Sequence, residues 1–165
     1  RTAEGYSEPG GTEMVVSRRG VSGIAALVAS LVVTRAKAAE TGAKTHRVAM
    51  QVSTNDAGVF DLALSNAVNL AREYGEAAEE VEIEIVAYGP GLQMVRADTS
   101  PAKARIHSVT ESVPGIVISA CGNTITAMEH AEGRKLELLA GVGVVRAGAV
   151  RLVALQEAGW TYLRV

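Results

Sequence analysis

Three observations predict an α/β fold, a three-layer α/β/α sandwich with a mostly parallel sheet of about five strands. Short apolar, β-branched runs alternate along the chain with segments of helical period. One run, Ile116 to Ala120, is apolar nearly throughout, as a strand buried on both faces of a parallel sheet reads. Helical composition follows that run at once, as at the strand-to-helix junction of a βαβ unit.

The segments before the first strand are of a different kind. Arg1 to Glu13 is polar, rich in Gly and Glu and without period; it reads as a disordered extension, or as sequence upstream of a start at Met14. From Met14 the pattern is that of a secretory signal over 14–38. Ser17-Arg18-Arg19 is basic, Gly20 to Val33 carries no charge, and Ala36-Lys37-Ala38 offers the small residues of a cleavage site. The uncharged stretch is shorter than the ~18 residues of a membrane span. The arginine pair resembles the twin-arginine signal of folded exported proteins, with Val21 where that motif usually has Phe or Leu. The expectation is a periplasmic or exported protein, cleaved after Ala38 and left with no stable membrane span. Residues 39–165 then form one domain holding 11 Lys and Arg against 15 Asp and Glu, a net charge of −4.

Within that domain His46 to Ser53 reads as the first strand, and Thr54-Asn55-Asp56 supply cap and turn oxygens. Val59 to Tyr74 is helical, with Phe60, Leu64, Ala67, Ala71 and Tyr74 on one stripe and Gly75 as the stop. Val81 to Tyr88 alternates apolar and acidic before turning apolar, as a strand near a sheet edge would, its unpaired backbone in need of a partner. Gly89-Pro90-Gly91 predicts a turn where backbone approaches a ligand or loop, and Leu92 to Val95 a short helical turn. Ser100-Pro101 reads as cap and first position of a helix through Val109. After the third strand, Thr124 to His130 is a short helix and Glu132 to Glu137 a solvated charged stretch. Val142 to Arg146 is a fourth strand, Ala149 to Ala158 a helix, and Trp160 to Val165 a last strand.

Composition narrows function. Aromatics are 4% of the chain, too few to stack bases of single strands, and a net charge of −2 offers no basic face for a phosphate backbone, so no nucleic-acid partner is expected. One cysteine excludes an internal disulfide and a cysteine-only metal site. No dinucleotide or P-loop glycine pattern follows a strand, and no G-x-S-x-G elbow is present. No cofactor or metal is expected. His46, His107 and His130 are far apart and read as surface residues, and the acidic run Glu76 to Glu84 as a solvated turn and edge.

Cys121 is the residue with chemistry. It ends the third strand just before a helix, where open α/β sheets place ligands. The amides of Gly122, Asn123 and Thr124 would give it the partial positive charge of a helix start, which favours a thiolate. The other reading is a small buried hydrophobe, a common fate of free cysteine.

The runs Gln51 to Asp56, Ala63-Leu-Ser-Asn66, Val86-Ala-Tyr-Gly-Pro-Gly-Leu92, Ala120-Cys-Gly-Asn-Thr124 and Leu155 to Arg164 together resemble the DsrE/DsrF-like family of sulfur-oxidation and sulfur-relay proteins, from about His46 to Val165. The resemblance implies an α/β/α fold, a homo-oligomer (a trimer or hexamer), and a cysteine that carries persulfide sulfur, here Cys121. It implies donor and acceptor proteins or small persulfides as partners. It also implies a pocket shaped by Asn66, Tyr88, Gly89, Pro90 and Gly91, with Gly122, Asn123 and Thr124 holding the anion. The alternative is a non-catalytic homo-oligomeric module, binding a small molecule or protein, with a structural cysteine.

Overall fold

In the computed structural model, which describes residues 44–165, five strands form one sheet in the order β4-β3-β2-β1-β5, every neighbouring pair parallel. The extension 1–13, the signal 14–38 and its cleavage site lie outside the described residues. The elements run β1 (Thr45–Val52), α1 (Ala57–Glu76), β2 (Glu80–Ala87), a 3-10 helix (Gly89–Val95), α2 (Lys103–Ser112), β3 (Ile116–Cys121), α3 (Gly122–Glu132), β4 (Gly143–Val145), α4 (Gly148–Glu157) and β5 (Thr161–Arg164). The α/β/α sandwich expected from the alternation of strand and helix is the fold observed. Among the described residues no helix is long and apolar enough to cross a membrane.

Strand parity divides the core in two. Val48, Met50 and Val52 of β1, Ile83, Ile85 and Ala87 of β2, and Ile116, Ile118 and Ala120 of β3 share one face with Phe60 and Leu64 of α1, Ile106 of α2, and Ile125 and Met128 of α3. The alternate residues Ala49 and Val86 face the other way and bury Leu152 and Leu155 of α4, with Tyr88 and Trp160 at the margin. So α1, α2 and α3 cover one face and α4 the other. The right-handed crossover rule accounts for this: connections that step from β1 to β4 lie on one face, and the connection that steps back to β5 lies on the other.

Several expectations change. The strand β2 is central, not an edge, since it pairs with β1 and β3 along its length. Its acidic alternation arises instead from two partnered glutamates. Glu82 meets Arg47 on the surface, and Glu84, 4% exposed, is held by Arg151 and Ser119. The run Glu76 to Glu84 is therefore not wholly solvated. Gly75 lies inside α1, which ends at Glu76 with Ala77 as its cap before Ala78 takes a left-handed conformation at φ 57°. Ser100 is not the cap of α2, which follows Ala102, although its hydroxyl accepts the Ala102 amide. The stretch Glu132 to Glu137 is not free in solvent: Glu132, which ends α3, pairs with Arg96 and Arg134, and Leu136 is buried. His46 is half-buried, stacked on Tyr74 with ring centroids 3.8 Å apart and bonded to Glu79 at 2.6 Å.

Candidate functional site

The site grows from one reversal of topology. The helix after β3 leaves on one face of the sheet and the helix after the neighbouring β4 leaves on the other. The gap between their first turns lies outside the carboxyl ends of β3 and β4. Open α/β sheets bind ligands at such a switch point. Cys121 stands in it, as last residue of β3 and cap of α3, with extended backbone at φ −75° and ψ 115°.

Cys121 shares the α4 side of β3 with Ser119, and the residue is 5% exposed. Burial disfavours the thiolate, but hydrogen bonds oppose it and win. The Thr124 hydroxyl has the largest such effect, followed by the nearby backbone amides of Gly148, Thr124 and Asn123, and the thiol pKa is lowered from its ordinary value. The donors belong to two helix starts: Asn123 and Thr124 open α3, and Gly148 opens α4. Each start carries partial positive charge, and the two meet at one sulfur.

The surroundings are built to keep those donors in place. The Thr124 hydroxyl accepts the Gly89 amide at 3.0 Å, which leaves its own proton for the sulfur. The Asn123 amide is shared with the Arg146 carbonyl at 3.2 Å. Gly91 lets the 3-10 helix press on β1, for a Cβ there would lie 2.2 Å from the Val52 carbonyl oxygen. Gly148 lets α4 approach: a Cβ there would lie 2.8 Å from Cβ of Tyr88 and 3.3 Å from Cβ of Cys121.

The residues expected at the site separate into groups. Cys121, Asn123, Thr124, Tyr88 and Gly89 come together. Gly122 supplies no amide to the sulfur; it packs on the end of β4, where a Cβ would lie 3.2 Å from the Val145 carbonyl oxygen. Pro90 lines a separate open cleft of about 600 Å³, with Asn55, Gln93, Asn123, Thr124 and Met128 among its walls. Cys121 is not on that wall; Thr124 stands between the cleft and the sulfur. Asn66 does not join either. It lies on α1, on the opposite face and about 13.5 Å along the helix from its start beyond the carboxyl end of β1. Gly148, Asn55, Gln93 and Met128 escaped the sequence reading. For Gly148 a signal existed, a glycine between the fourth strand and the next helix. Among the described residues no cluster of three or more His, Cys, Asp or Glu could hold a metal ion.

A solved structure shares this fold. It is a protein of unknown function, MTH1491, from Methanobacterium thermoautotrophicum, with 33% sequence identity and a TM-score of 0.62 over 73% of this chain and 99% of that one. The two chains belong to one family. No protein-family model matches the chain, and no curated protein does.

Proposed function

We propose that the protein is a sulfur carrier in which Cys121 accepts and passes on persulfide sulfur. The observation that supports this most is the convergence of two helix starts on a thiol at the switch point, with a net lowering of its pKa. The resemblance of Ala120 to Thr124 and of Val86 to Leu92 to the DsrE/DsrF-like proteins points the same way. The Cys121 thiolate attacks the outer sulfur of a persulfide R–S–SH. A new S–S bond forms at Cys121, the donor's S–S bond breaks, and its inner sulfur leaves as the thiolate R–S⁻. The exchange consumes no oxidant. The amides of Asn123, Thr124 and Gly148 would hold the anion before attack and the persulfide anion after it.

A second reading has its own support. Cys121 is only 5% exposed, and the cleft of about 600 Å³ lies beside it rather than around it. That arrangement suits a non-catalytic module that binds a small molecule, with Cys121 structural. Mass spectrometry after treatment with a low-molecular-weight persulfide separates the two. The carrier gains one sulfur on Cys121, and Cys121→Ser gains none while keeping its fold. A wild-type mass that never changes, with a thiol inert until denaturation, would leave the binding module standing.

Assembly and location remain part of the proposal. With β2 central, a homo-oligomer no longer rests on an open edge there. It rests on the exposed valines Val117, Val144, Val150 and Val153 and on the family resemblance, which favours a trimer or hexamer. Light scattering reads the mass directly. Export rests on the sequence of 14–38 alone, and a mature amino terminus at Ala39 is its test.

A further inference from the structure

We propose that Glu84 and Arg151 are positioning residues for Cys121: their ion pair fixes α4 along the sheet so that its first turn, at Gly148, stays packed on Tyr88 and Cys121. The functional consequence rests on the reading of Cys121 as the reactive group; the placement of Gly148 does not.

Among the described residues Glu84 is the only buried carboxylate. It sits on the central strand, on the face that α4 covers. Arg151 grips it with a fork, Nη2 to Oε2 at 2.6 Å and Nε to Oε1 at 3.0 Å, and the Ser119 hydroxyl donates to Oε1 at 2.7 Å. No buried side-chain polar atom among the described residues lacks a partner. Stability alone does not call for this arrangement. Only the carboxylate end is buried, since the Arg151 side chain is 42% exposed, and an apolar side chain in place of Glu84 would find Ala49, Val86 and Leu152 beside it.

Geometry supplies the reason. The other buried residues of α4 are Gly148, which has no side chain, and Leu152 and Leu155, whose apolar contact is not directional. A helix held only by leucines can slide along its axis at little cost. A two-point bond between a planar guanidinium and a carboxylate cannot slide. Arg151 follows Gly148 by three residues, about 4.5 Å of rigid helix, so fixing one fixes the other. At Gly148 the tolerance is small, with Tyr88 and Cys121 already close enough to crowd a single added carbon.

The charged and titratable groups near the thiol are Glu84 on β2, Tyr88 just after it, Arg151 on α4 and Arg146 after β4. None of these side chains is a hydrogen-bond partner of the sulfur, whose donors are Thr124, Asn123 and Gly148. Glu84 and Arg151 also cancel each other's charge. Removing both therefore changes the thiol chiefly through the Gly148 amide.

The test uses two variants. Glu84→Leu with Ser119→Ala and Arg151→Met removes the pair and leaves no orphan hydroxyl. Arg151→Lys keeps the charge and loses the fork, and serves alone if the triple variant fails to fold. Two readouts are followed on folded protein: the rate of Cys121 alkylation against pH, and the NMR signal of the Gly148 amide. The expected result is alkylation about threefold or more slower near pH ~6, recovering at alkaline pH as the thiolate refills, with the Gly148 signal displaced in both variants. A wild-type pH profile and an unmoved Gly148 signal in a folded variant would overturn the inference. A wild-type thiol that titrates as a free one sinks the sulfur-carrier reading instead. In that case the Gly148 signal alone decides whether the pair positions α4.

Discussion

Replacing Gly148 by alanine tests the site with one carbon. The added Cβ would lie 2.8 Å from Cβ and 3.2 Å from Cγ of Tyr88, and 3.3 Å from Cβ of Cys121. Carbon atoms rest at about 3.5–4.0 Å, so the closest of these contacts is short by about 1 Å. Neither Cβ can rotate away, because each is fixed to its own backbone. The start of α4 must therefore retreat, or the ends of β2 and β3 must shift. Over-packing of this kind costs about 1–3 kcal/mol. Alanine recovers about 0.5–1 kcal/mol through its lower backbone entropy. The net expectation is a loss of about 1–2 kcal/mol, read from chemical denaturation.

The same retreat draws the Gly148 amide from the sulfur. A thiolate that loses one of its donors is less favoured, so the midpoint of alkylation against pH should move up, toward the value of about 8.5 of a free thiol. Both changes are expected together, since one displacement causes both. A variant as stable as wild type, with an unchanged alkylation profile, would refute the reasoning. It would show that α4 does not press on Cys121 as the geometry has it.

The remaining expectations are of three kinds. Gly91→Ala forces a carbon to 2.2 Å from the Val52 carbonyl oxygen, a backbone atom with nowhere to go, and should cost about 3 kcal/mol or more; a melting temperature like that of wild type would contradict it. The Cys121 thiol has a folded pKa below its unfolded one, so its contribution to stability is lost as pH falls through the folded value and complete above about 8.5. The stability of wild type relative to Cys121→Ser should thus rise with pH, and a fall would mean that burial outweighs the hydrogen bonds. Asp98 and Glu132 are held below the ordinary carboxylate range, chiefly by hydrogen bonds from Arg96, with Arg134 adding to both. Their contribution is present above about pH 4 and lost as they take up protons below it. Asp98→Asn with Glu132→Gln should flatten the acid limb of the urea midpoint against pH, and curves that stay parallel to wild type would reject that linkage.

Much of the fold was written locally. Ile116, Ile118 and Ala120 are apolar because β3 lies between two other strands and under α1 to α3, and such a run is legible as a strand without outside information; the expected burial of both faces holds only in part, since Val117 on the α4 side is 52% exposed. Asp56 was legible as a cap because its partners, the Gly58 and Val59 amides at 2.7 and 3.3 Å, are its own neighbours. The position of β2 was not legible, and the reason is distance along the chain. Glu84 looks like the polar side of an exposed strand until Arg151, 67 residues later, is brought against it. The ion-paired Arg96, Asp98, Glu132 and Arg134 were missed in the same way, since Glu132 is 36 residues from Arg96. Asn66 was placed at the site by resemblance of a short helical motif, and nothing local says which face of a sheet a helix will cover.

The site was legible at Cys121 and illegible around it, and strand parity explains both. A side chain at the end of β3 points to one face or the other according to its register. At position 120 the side chain enters the large cluster under α1 to α3, where Ala120 is fully buried and far from the start of α4. At position 122 it would belong to α3 and crowd the carbonyl oxygens of Val145 and Arg146, at 3.2 and 3.4 Å. Only position 121 ends the strand, caps α3 and faces α4. The second helix start, however, is brought there by a connection that reverses direction after β4, and this reversal is a property of the whole sheet. Local sequence could therefore show a thiol at one helix start. That a second start reaches the same residue follows from the strand order alone, and there Gly148 adds to the larger effect of the Thr124 hydroxyl in lowering the pKa of a cysteine that is 5% exposed.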